Sequence, residues 1–226
     1  MHLIIDTATN RGLIALGSND KVISYKELAL GLANSRQLEP SLQQLLAEAG
    51  IAPKDLEYVA VGQGPGSYTG LRVGAACAKA IAIGCEIPLV GLRSLRGFLP
   101  PTDFLGSYLA VIDAKIGGVY VQEAIQSKEG VTFLSEEKLM PFDQFVQELK
   151  RVPYIATPTW DALAKRLEGI FAPTVFETGP SAKQLLAESN EKFVKKEYTM
   201  DGSLPLLYLR LTQAEMEKLP NKGQLQ

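Results

Sequence analysis

HLIIDTATNRGLIALGSNDKVISYKEL, residues 2–28, contains three apolar runs separated by short turns. The first run is continuous and ends in Asp6, as expected of a buried strand. The runs at 12–18 and 22–28 also have strand composition, and Asn19-Asp20 forms a turn between them. The segment is therefore predicted to be an antiparallel meander of three strands.

Residues 34–49 change to a helical period. Asn34 can serve as N-cap, with Gln37 three positions on to complete a capping box. Gly50 supplies a left-handed stop. Pro40 either kinks the first turns or marks the true first turn, because it cannot donate a backbone hydrogen bond. The apolar face consists of Leu38, Leu42, Leu45, Leu46 and Ala49.

A strand at 56–63 leads into a glycine-rich loop, and an alanine-rich helix follows at 69–83. Gly84 is predicted to end this helix, and 88–90 to return as a strand. The order β-β-β-α-β-α-β is that of the ribonuclease-H-like core found in actin and hexokinase.

A chain of this type usually carries the core twice, and a second copy is visible. Residues 4–7 (IIDT) are echoed by 111–114 (VIDA), and 12–15 (GLIA) by 118–121 (GVYV). In both copies an apolar strand ends in Asp, turns tightly and returns through a Gly-led apolar strand. Repetition near the middle of the chain is what a duplication predicts.

We therefore predict an α/β fold of the actin-like (ASKHA) type, with two subdomains and mixed sheets. The Pro-rich stretch FLPPTD (98–103) marks the boundary, so the subdomains are residues 1–100 and 101–226. The second subdomain is predicted to contain a strand at 132–139 and helices at 141–150, 160–168 and 180–190.

Composition restricts the function. The net charge of −2 and the pI of about 5.6 show no basic excess of the kind that nucleic-acid-binding proteins usually carry. Any contact with nucleic acid is therefore expected to run through another chain. The N-terminus lacks a basic region and a cleavage site, and no apolar run reaches the ~20 residues that a bilayer requires. A cytoplasmic protein without membrane association is expected.

Two residue counts limit the chemistry. His2 is the single histidine, so a Ser-His-Asp or Cys-His mechanism lacks an internal base and a zinc site lacks ligands. Cys77 and Cys85 have neither metal-ligand spacing nor the pattern of a disulfide framework, and are interpreted as small buried hydrophobes. No metal site is predicted on this basis.

GQGPGSYTGLRVG (62–74) is the most informative stretch. Its glycines permit backbone angles that other residues resist. Ser67 or Thr69 can cap the following helix, whose free N–H groups form a natural anion site. The loop therefore binds a phosphate or a partner, or is simply a tight strand-to-helix turn; it is not a P-loop, because no Gly-Lys-Ser/Thr follows. The loop residues are Gly64, Pro65, Gly66, Ser67, Thr69 and Gly70.

GPGSYTGLRVG resembles the signature of the bacterial TsaB (YeaZ) family. Four further stretches are similar to that family, so the resemblance covers the whole chain, densely up to residue 120 and thinly beyond. These stretches are IIDTAT (4–9), IPLVGLRSL (87–95), VIDAKIGGVY (111–120) and PLLYLR (205–210).

The resemblance implies a non-catalytic subunit that works beside TsaD. TsaD transfers threonylcarbamoyl from its adenylate to N6 of adenosine 37 in tRNAs reading ANN codons, and the ATPase TsaE completes the assembly. Members of the family pair with TsaD, or with themselves as homodimers, through the first two helices. The resemblance requires no cofactor of this chain alone, but ATP or ADP with Mg²⁺ is conceivable at the junction with TsaD.

The two helices fit that role on physical grounds. Small side chains on the second helix permit close helix–helix approach, and the first helix offers more leucines than one inward face requires. The alternative is that both helices only pack on the sheet. The predicted interface consists of Gln37, Leu38, Ser41, Leu42, Leu45, Leu71, Arg72, Ala75, Ala76 and Lys79.

The rival interpretation is a stand-alone actin-like small-molecule kinase or ATPase. Asp6, Thr7 and Asp113 could then hold magnesium and nucleotide, since hard oxygen ligands suit Mg²⁺. Each Asp could instead cap its own hairpin, which we favour. The only candidate for an adenosine motif is the poor match at 177–181. A protease is disfavoured, because Ser67 has no neighbouring base.

The chain departs from the family pattern in two places. Asn34-Ser35 stands where relatives commonly have His-Ser, which keeps a capping residue and removes a titrating group. The turn at 115–118 reads Lys-Ile-Gly-Gly, where relatives usually have Arg-Arg-Gly-Glu. A role carried over to that turn is therefore in doubt.

Overall fold

The computed structural model describes residues 1–28, 34–115 and 117–209, apart from the side chains of Asn34 and Ser35. The predicted cap at Asn34 therefore lies outside the described residues. The N-terminal elements are β1 (His2–Asp6), β2 (Gly12–Ser18), β3 (Lys21–Leu28), α1 (Asn34–Ala49), β4 (Tyr58–Gly64), α2 (Tyr68–Cys85) and β5 (Leu89–Arg93).

Strand β1 occupies the centre of the first sheet. It pairs antiparallel with β2 and parallel with β4, and all five of its residues are buried. Its continuous apolar sequence follows from this position, because helices cover both faces of the sheet. Leu3 and Ile5 pack in one core cluster with the leucines of α1, while Ile4 packs in another on the opposite face.

The second sheet repeats this plan. Its elements are β6 (Gly106–Asp113), β7 (Val119–Ser127), β8 (Gly130–Phe133), β9 (Lys138–Met140), α3 (Phe142–Arg151), β10 (Tyr154–Thr157), α4 (Asp161–Leu167) and β11 (Thr174–Glu177). The strand order is β11-β10-β6-β7-β8, with β9 also paired to β7. The β6–β7 hairpin corresponds to the β1–β2 hairpin, as the internal repeat predicted.

The chain then returns to the first sheet. Helix α5 (Ala182–Val194) packs on it through Leu185 and Leu186, and β12 (Tyr198–Thr199) pairs with β5. The first sheet therefore has the order β12-β5-β4-β1-β2-β3 among the described residues. The boundary predicted near residue 100 separates the two sheets, but residues 182–199 lie with the first sheet and not with the second.

Three local predictions need correction or completion. The single strand predicted at 132–139 is divided into β8 and β9, because Ser135 between them receives hydrogen bonds from Gln122 and Glu123. Helix α2 does not stop at Gly84 but runs to Cys85, and Glu86 takes the left-handed conformation with φ of 55°. Pro40 lies inside α1.

Three further predictions concern Gly50, the two cysteines and a membrane span. Gly50 has φ of 68°, as predicted for a helix stop. Cys77 and Cys85 are free thiols but only half-buried, so the interpretation of both as buried residues is wrong. Across the part of the chain that the structure describes, no helix has both the length and the apolar character required to cross a bilayer.

Candidate functional site: the glycine-rich loop and the exposed face of α2

The glycine-rich loop packs directly on the turn between β1 and β2. The Ser67 N–H donates to the carbonyl of Ala8 at 2.6 Å, and the Thr7 hydroxyl donates to the carbonyl of Gly70 at 2.8 Å. A Cβ at position 66 would lie 2.2 Å from the Ala8 oxygen, and one at position 70 would lie 2.1 Å from the Thr7 oxygen. Glycine is therefore required by close backbone contact within the chain.

The start of α2 is capped by a side chain of the protein itself. Of the two caps left open by the sequence, Ser67 is the N-cap, and its hydroxyl accepts from the Gly70 N–H at 3.3 Å. The Ser67 N–H is bonded to Ala8, and the Leu71 N–H to the Ser67 carbonyl. The Gly70 N–H is therefore engaged within the chain, and the packing of the loop on Ala8 is that of a tight strand-to-helix turn. Thr69, the alternative cap, is exposed.

The end of the described chain lies against the other side of this loop. We call residues 201–209 the strap. The Leu207 N–H donates to the carbonyl of Gln63 at 2.8 Å, and the Gln63 side-chain amide donates to the carbonyl of Pro205 at 2.9 Å. The strap thus holds the loop at Gln63, next to Gly64 and the buried Pro65.

The first predicted nucleotide ligand is enclosed. Asp6 is fully buried, and its Oδ1 accepts from the Ala8 N–H at 2.9 Å, the turn-capping role that we favoured. Its Oδ2 lies against Gly62 and Ser94, where a Cβ on residue 62 would approach it to 2.4 Å. Burial raises the pKa of this carboxyl above its ordinary value, although the Ala8 N–H opposes the shift. Neighbouring Thr7 is also buried.

The second predicted ligand already has a counter-charge. Asp113 Oδ1 accepts from the Lys115 N–H at 2.9 Å, again capping a turn, and from Arg166 Nη1 at 2.7 Å. Arg166 also donates to the Gly118 carbonyl at 3.1 Å, and its guanidinium lies 4.0 Å from the centroid of the Phe142 ring. A guanidinium therefore neutralises Asp113. Among the described residues, no group of three or more His, Cys, Asp or Glu side chains is arranged to hold a metal ion.

The leucines of α1 are not surplus surface. All four pack into the core of this chain beside Leu3, Ile5 and Val59, so the argument that they exceed one inward face is wrong. The predicted interface residues divide into two groups. Leu38, Leu42, Leu45, Leu71 and Ala75 are buried, whereas Gln37, Ser41, Arg72, Ala76 and Lys79 are exposed or half-exposed.

Helix α2 presents a distinct exposed face. Tyr68, Arg72, Ala76 and Ala80 recur every four residues, the spacing that places side chains on one side of a helix. Ile83 extends the row and is 58% exposed. We call these five residues the exposed α2 face. Its centre contains only methyl groups, and larger side chains flank it at both ends.

Each end of this face contacts the strap. The Arg72 guanidinium stacks 3.9 Å from the Tyr68 ring centroid, and its Nε donates to the Tyr208 hydroxyl at 3.3 Å. The rings of Tyr68 and Tyr208 lie 5.0 Å apart. At the other end a Cβ on Gly202 would approach Ile83 to 2.8 Å. The strap therefore reaches both ends of the exposed α2 face.

Comparison with known proteins agrees with this architecture. Residues 32–179 match the family model described as TsaD, tRNA N6-adenosine threonylcarbamoyltransferase. The chain is 28% identical over 236 residues to the tRNA threonylcarbamoyladenosine biosynthesis protein TsaB of Escherichia coli, covering 97% of this chain and 98% of that one. The protein of the same name from Haemophilus influenzae is 26% identical, with 97% of each chain covered.

The solved structure of YeaZ from Pseudomonas aeruginosa superposes with a TM-score of 0.72, covering 91% of this chain and 98% of that chain at 20% identity. Together with the two mixed sheets, this defines an actin-like α/β protein built from a duplicated ribonuclease-H-like unit. The chain belongs to the TsaB (YeaZ) family, within the wider family that the TsaD model describes.

The sequence did not indicate three features of this site. Arg166 lies 53 positions from Asp113, and no motif connects them. Tyr208 stands in PLLYLR, a stretch that marks the family without assigning a role to that residue. Ala80 lies eight residues and Ile83 eleven residues after Arg72, so the helical i, i+3/i+4 spacing was the available signal.

Proposed function

We propose that this chain is a non-catalytic subunit that pairs with a TsaD-like subunit and supports the threonylcarbamoylation of N6 of adenosine 37 in tRNAs that read ANN codons. The printed names of its full-length relatives, biosynthesis proteins for tRNA threonylcarbamoyladenosine, support the pathway. The exposed α2 face is the observation that carries the pairing role.

This face has the properties of a helix-docking surface. Ala76 and Ala80 are exposed methyl groups, which let a partner helix approach to the short end of the usual 8–10 Å between axes. The aromatic and arginine side chains at its end belong to the residue types that dominate binding energy in protein interfaces. Tyr68 is 42% exposed and Tyr208 is 43% exposed, so both remain available to a partner.

The rest of the assembly follows from this role. The chain forms a homodimer through the same face when TsaD is absent, and tRNA and a TsaE-like ATPase join through the complex. ATP or ADP with Mg²⁺ belongs at the junction with TsaD. The stand-alone ATPase gains no support, because Asp113 is paired with Arg166 and Asp6 is buried.

Light scattering on a sizing column tests the proposal. The chain is run alone and then mixed with TsaD from the same organism, with and without Mg-ATP. We expect a one-to-one complex that replaces the homodimer. Absence of any complex under both conditions would contradict the proposal.

The variant Ala76→Glu locates the interface. A carboxylate in a dry seam costs at least about 2 kcal/mol, or roughly thirtyfold in Kd. Ala162→Glu, an equally exposed alanine on α4, is the matched control and should pair normally. If both variants bind TsaD as the parent does, the exposed α2 face is not the interface.

A further inference from the structure

A pocket of about 270 Å³ lies between α5 and residues 93–97, where the chain passes from the first sheet to the second. All the side chains that line it are charged. They come from the connection (Arg93, Arg96), from α5 and the residues after it (including Glu188 and Lys192), and from Glu136 before β9. The pocket is separate from the exposed α2 face and from the glycine-rich loop.

Glu188 forms a buried acceptor in the pocket wall. The residue is 4% exposed, and its contacts converge on one oxygen. Oε1 lies 3.0 Å from Lys192 Nζ and 3.6 Å from Arg96 Nη1, and accepts from the Arg93 N–H at 3.2 Å. Oε2 is buried and has no hydrogen-bond partner. Buried polar atoms rarely lack a hydrogen-bond partner, so the free Oε2 points to a missing donor.

Arg96 provides a matching buried donor. Its guanidinium is held over the Phe133 ring at 4.9 Å, and its Nε is buried without an acceptor. Lys192 serves other acceptors: its ammonium group donates to the Gly91 carbonyl at 2.7 Å and lies 3.0 Å from Glu188 Oε1, whereas Oε2 stays without a partner. The pocket wall thus has an unsatisfied acceptor and an unsatisfied donor close to each other.

These two groups select a ligand by charge. A simple anion would be attracted by Arg96 but repelled by the buried carboxylate of Glu188. A simple cation would be attracted by Glu188 but repelled by the arginines and lysines that line the pocket. A molecule that carries both an ammonium group and a carboxylate matches the charges of both side chains. Burial raises the pKa of Glu188, and a nearby ammonium group would oppose that cost.

The volume restricts the ligand further. Ligand sites for drug-sized molecules usually measure about 300–1,000 Å³, so this pocket suits a smaller molecule. A single water needs only about 10–15 Å³ of such volume, so the pocket has room for a small amino acid. We propose that this pocket binds a small zwitterion of the α-amino acid class, with its ammonium group on Glu188 and its carboxylate on Arg96.

Titration calorimetry on the isolated chain tests this proposal without TsaD, so its outcome is independent of the proposed function. The probes are glycine, L-alanine and L-threonine, with acetate and methylamine at matched ionic strength as half-ligands. We expect saturable binding of at least one amino acid, at least about tenfold tighter than either half-ligand. Acetate binding as tightly as the amino acids would mean an adventitious ion only and would overturn the proposal, as would absence of saturable heat.

Variants identify the contacts. Glu188→Gln removes the negative charge, and Arg96→Lys keeps a positive charge while removing Nε; each should abolish measurable amino acid binding. Glu48 is an exposed residue of α1 that is paired with Lys26 of β3, and the control variant Glu48→Gln should leave amino acid binding unchanged. Circular dichroism checks that each variant folds. If Glu188→Gln does not fold, binding by Arg96→Lys is the test of the assigned site. Undiminished binding by a folded Arg96→Lys variant would contradict the assigned site.

Discussion

Arg72 donates a hydrogen bond from Nε to the hydroxyl of Tyr208, 136 positions further along the chain, at 3.3 Å. The contact joins the exposed α2 face to the strap, so the last described residues of the chain border the surface proposed for pairing. The neighbouring residue Leu207 donates to Gln63, which directly precedes the glycine-rich loop. The strap and the loop therefore belong to one site.

Tyr208→Phe removes this hydrogen bond and keeps the ring against Tyr68. Because the contact is exposed, we expect the loss of at most about 1 kcal/mol, with global stability almost unchanged. Hydrogen exchange at the Leu207 amide, which is bonded to Gln63, should become faster. Tyr25→Phe on the exposed side of β3 is the control and should not affect that amide. Equal exchange in all three proteins would show that Tyr208 does not hold the strap.

Gly70→Ala should destabilise the protein by about 1–3 kcal/mol or more, because the new Cβ would lie 2.1 Å from the Thr7 carbonyl oxygen and the backbone would have to move. Gly84→Ala on the same helix meets nothing within 4 Å and should stabilise by about 0.5–1 kcal/mol. Urea unfolding measures both. Equal effects of the two substitutions would contradict the close packing of the loop on Thr7.

Ala75→Glu and Ala76→Glu should differ sharply although the residues are adjacent. Ala75 is 4% exposed, so a glutamate there must be buried without a partner and should prevent normal folding. Ala76 is exposed, so the same change should leave the fold intact and affect pairing alone. Circular dichroism and thermal melting distinguish the two. Similar melting of both variants would mean that α2 is rotated relative to this description.

His2 should make folding pH-dependent. Burial lowers the pKa of His2 below 6.5, the N-terminal ammonium group lowers it further, and Glu57 and Asp20 oppose both effects. The unfolded chain therefore binds this proton more readily than the folded one, and stability should fall as the pH drops through 6.5. His2→Phe keeps a ring on Tyr58, which His2 stacks on at 4.3 Å, without the titration.

Urea unfolding between about pH 5 and pH 8, where histidine titrates, measures this effect as the difference between parent and variant. The free energy of unfolding of His2→Phe should depend less steeply on pH near 6. A parallel pH profile for the two proteins would show that His2 keeps its ordinary pKa in the fold.

Arg166 and Asp113 should be energetically coupled. The pair is partly buried, with side chains 28% and 13% exposed, so we expect a coupling of about 1–2 kcal/mol, between the values for exposed and buried pairs. A double-mutant cycle with Arg166→Met and Asp113→Asn measures it. The same cycle on Arg11 and Glu27, a longer pair at 3.5 Å whose glutamate is 55% exposed, is the control and should give less. Additive effects at Arg166 and Asp113 would leave Asp113 free for the magnesium of the rival ATPase interpretation.

The sequence was sufficient for the local elements and the family. Continuous apolar runs, Asp-ended hairpins and glycine stops depend on neighbours in the chain, so β1, β2 and the stop at Gly50 are read correctly from it. The same holds for the Ser67 cap, whose hydroxyl reaches only three residues along. The division of the 132–139 segment was not readable, because Ser135 is bonded to residues of β7.

Tertiary structure decided which side chains remain available to a partner or a ligand. Helical period shows that Leu38, Leu42 and Leu45 share a face, but only the packed sheet shows that the face is used within the chain. Arg166 on Asp113, Tyr208 on Arg72 and the charged pocket around Glu188 all join residues distant in sequence. Contacts of this kind form only when distant segments of the chain pack together, so they cannot be predicted from local sequence propensity.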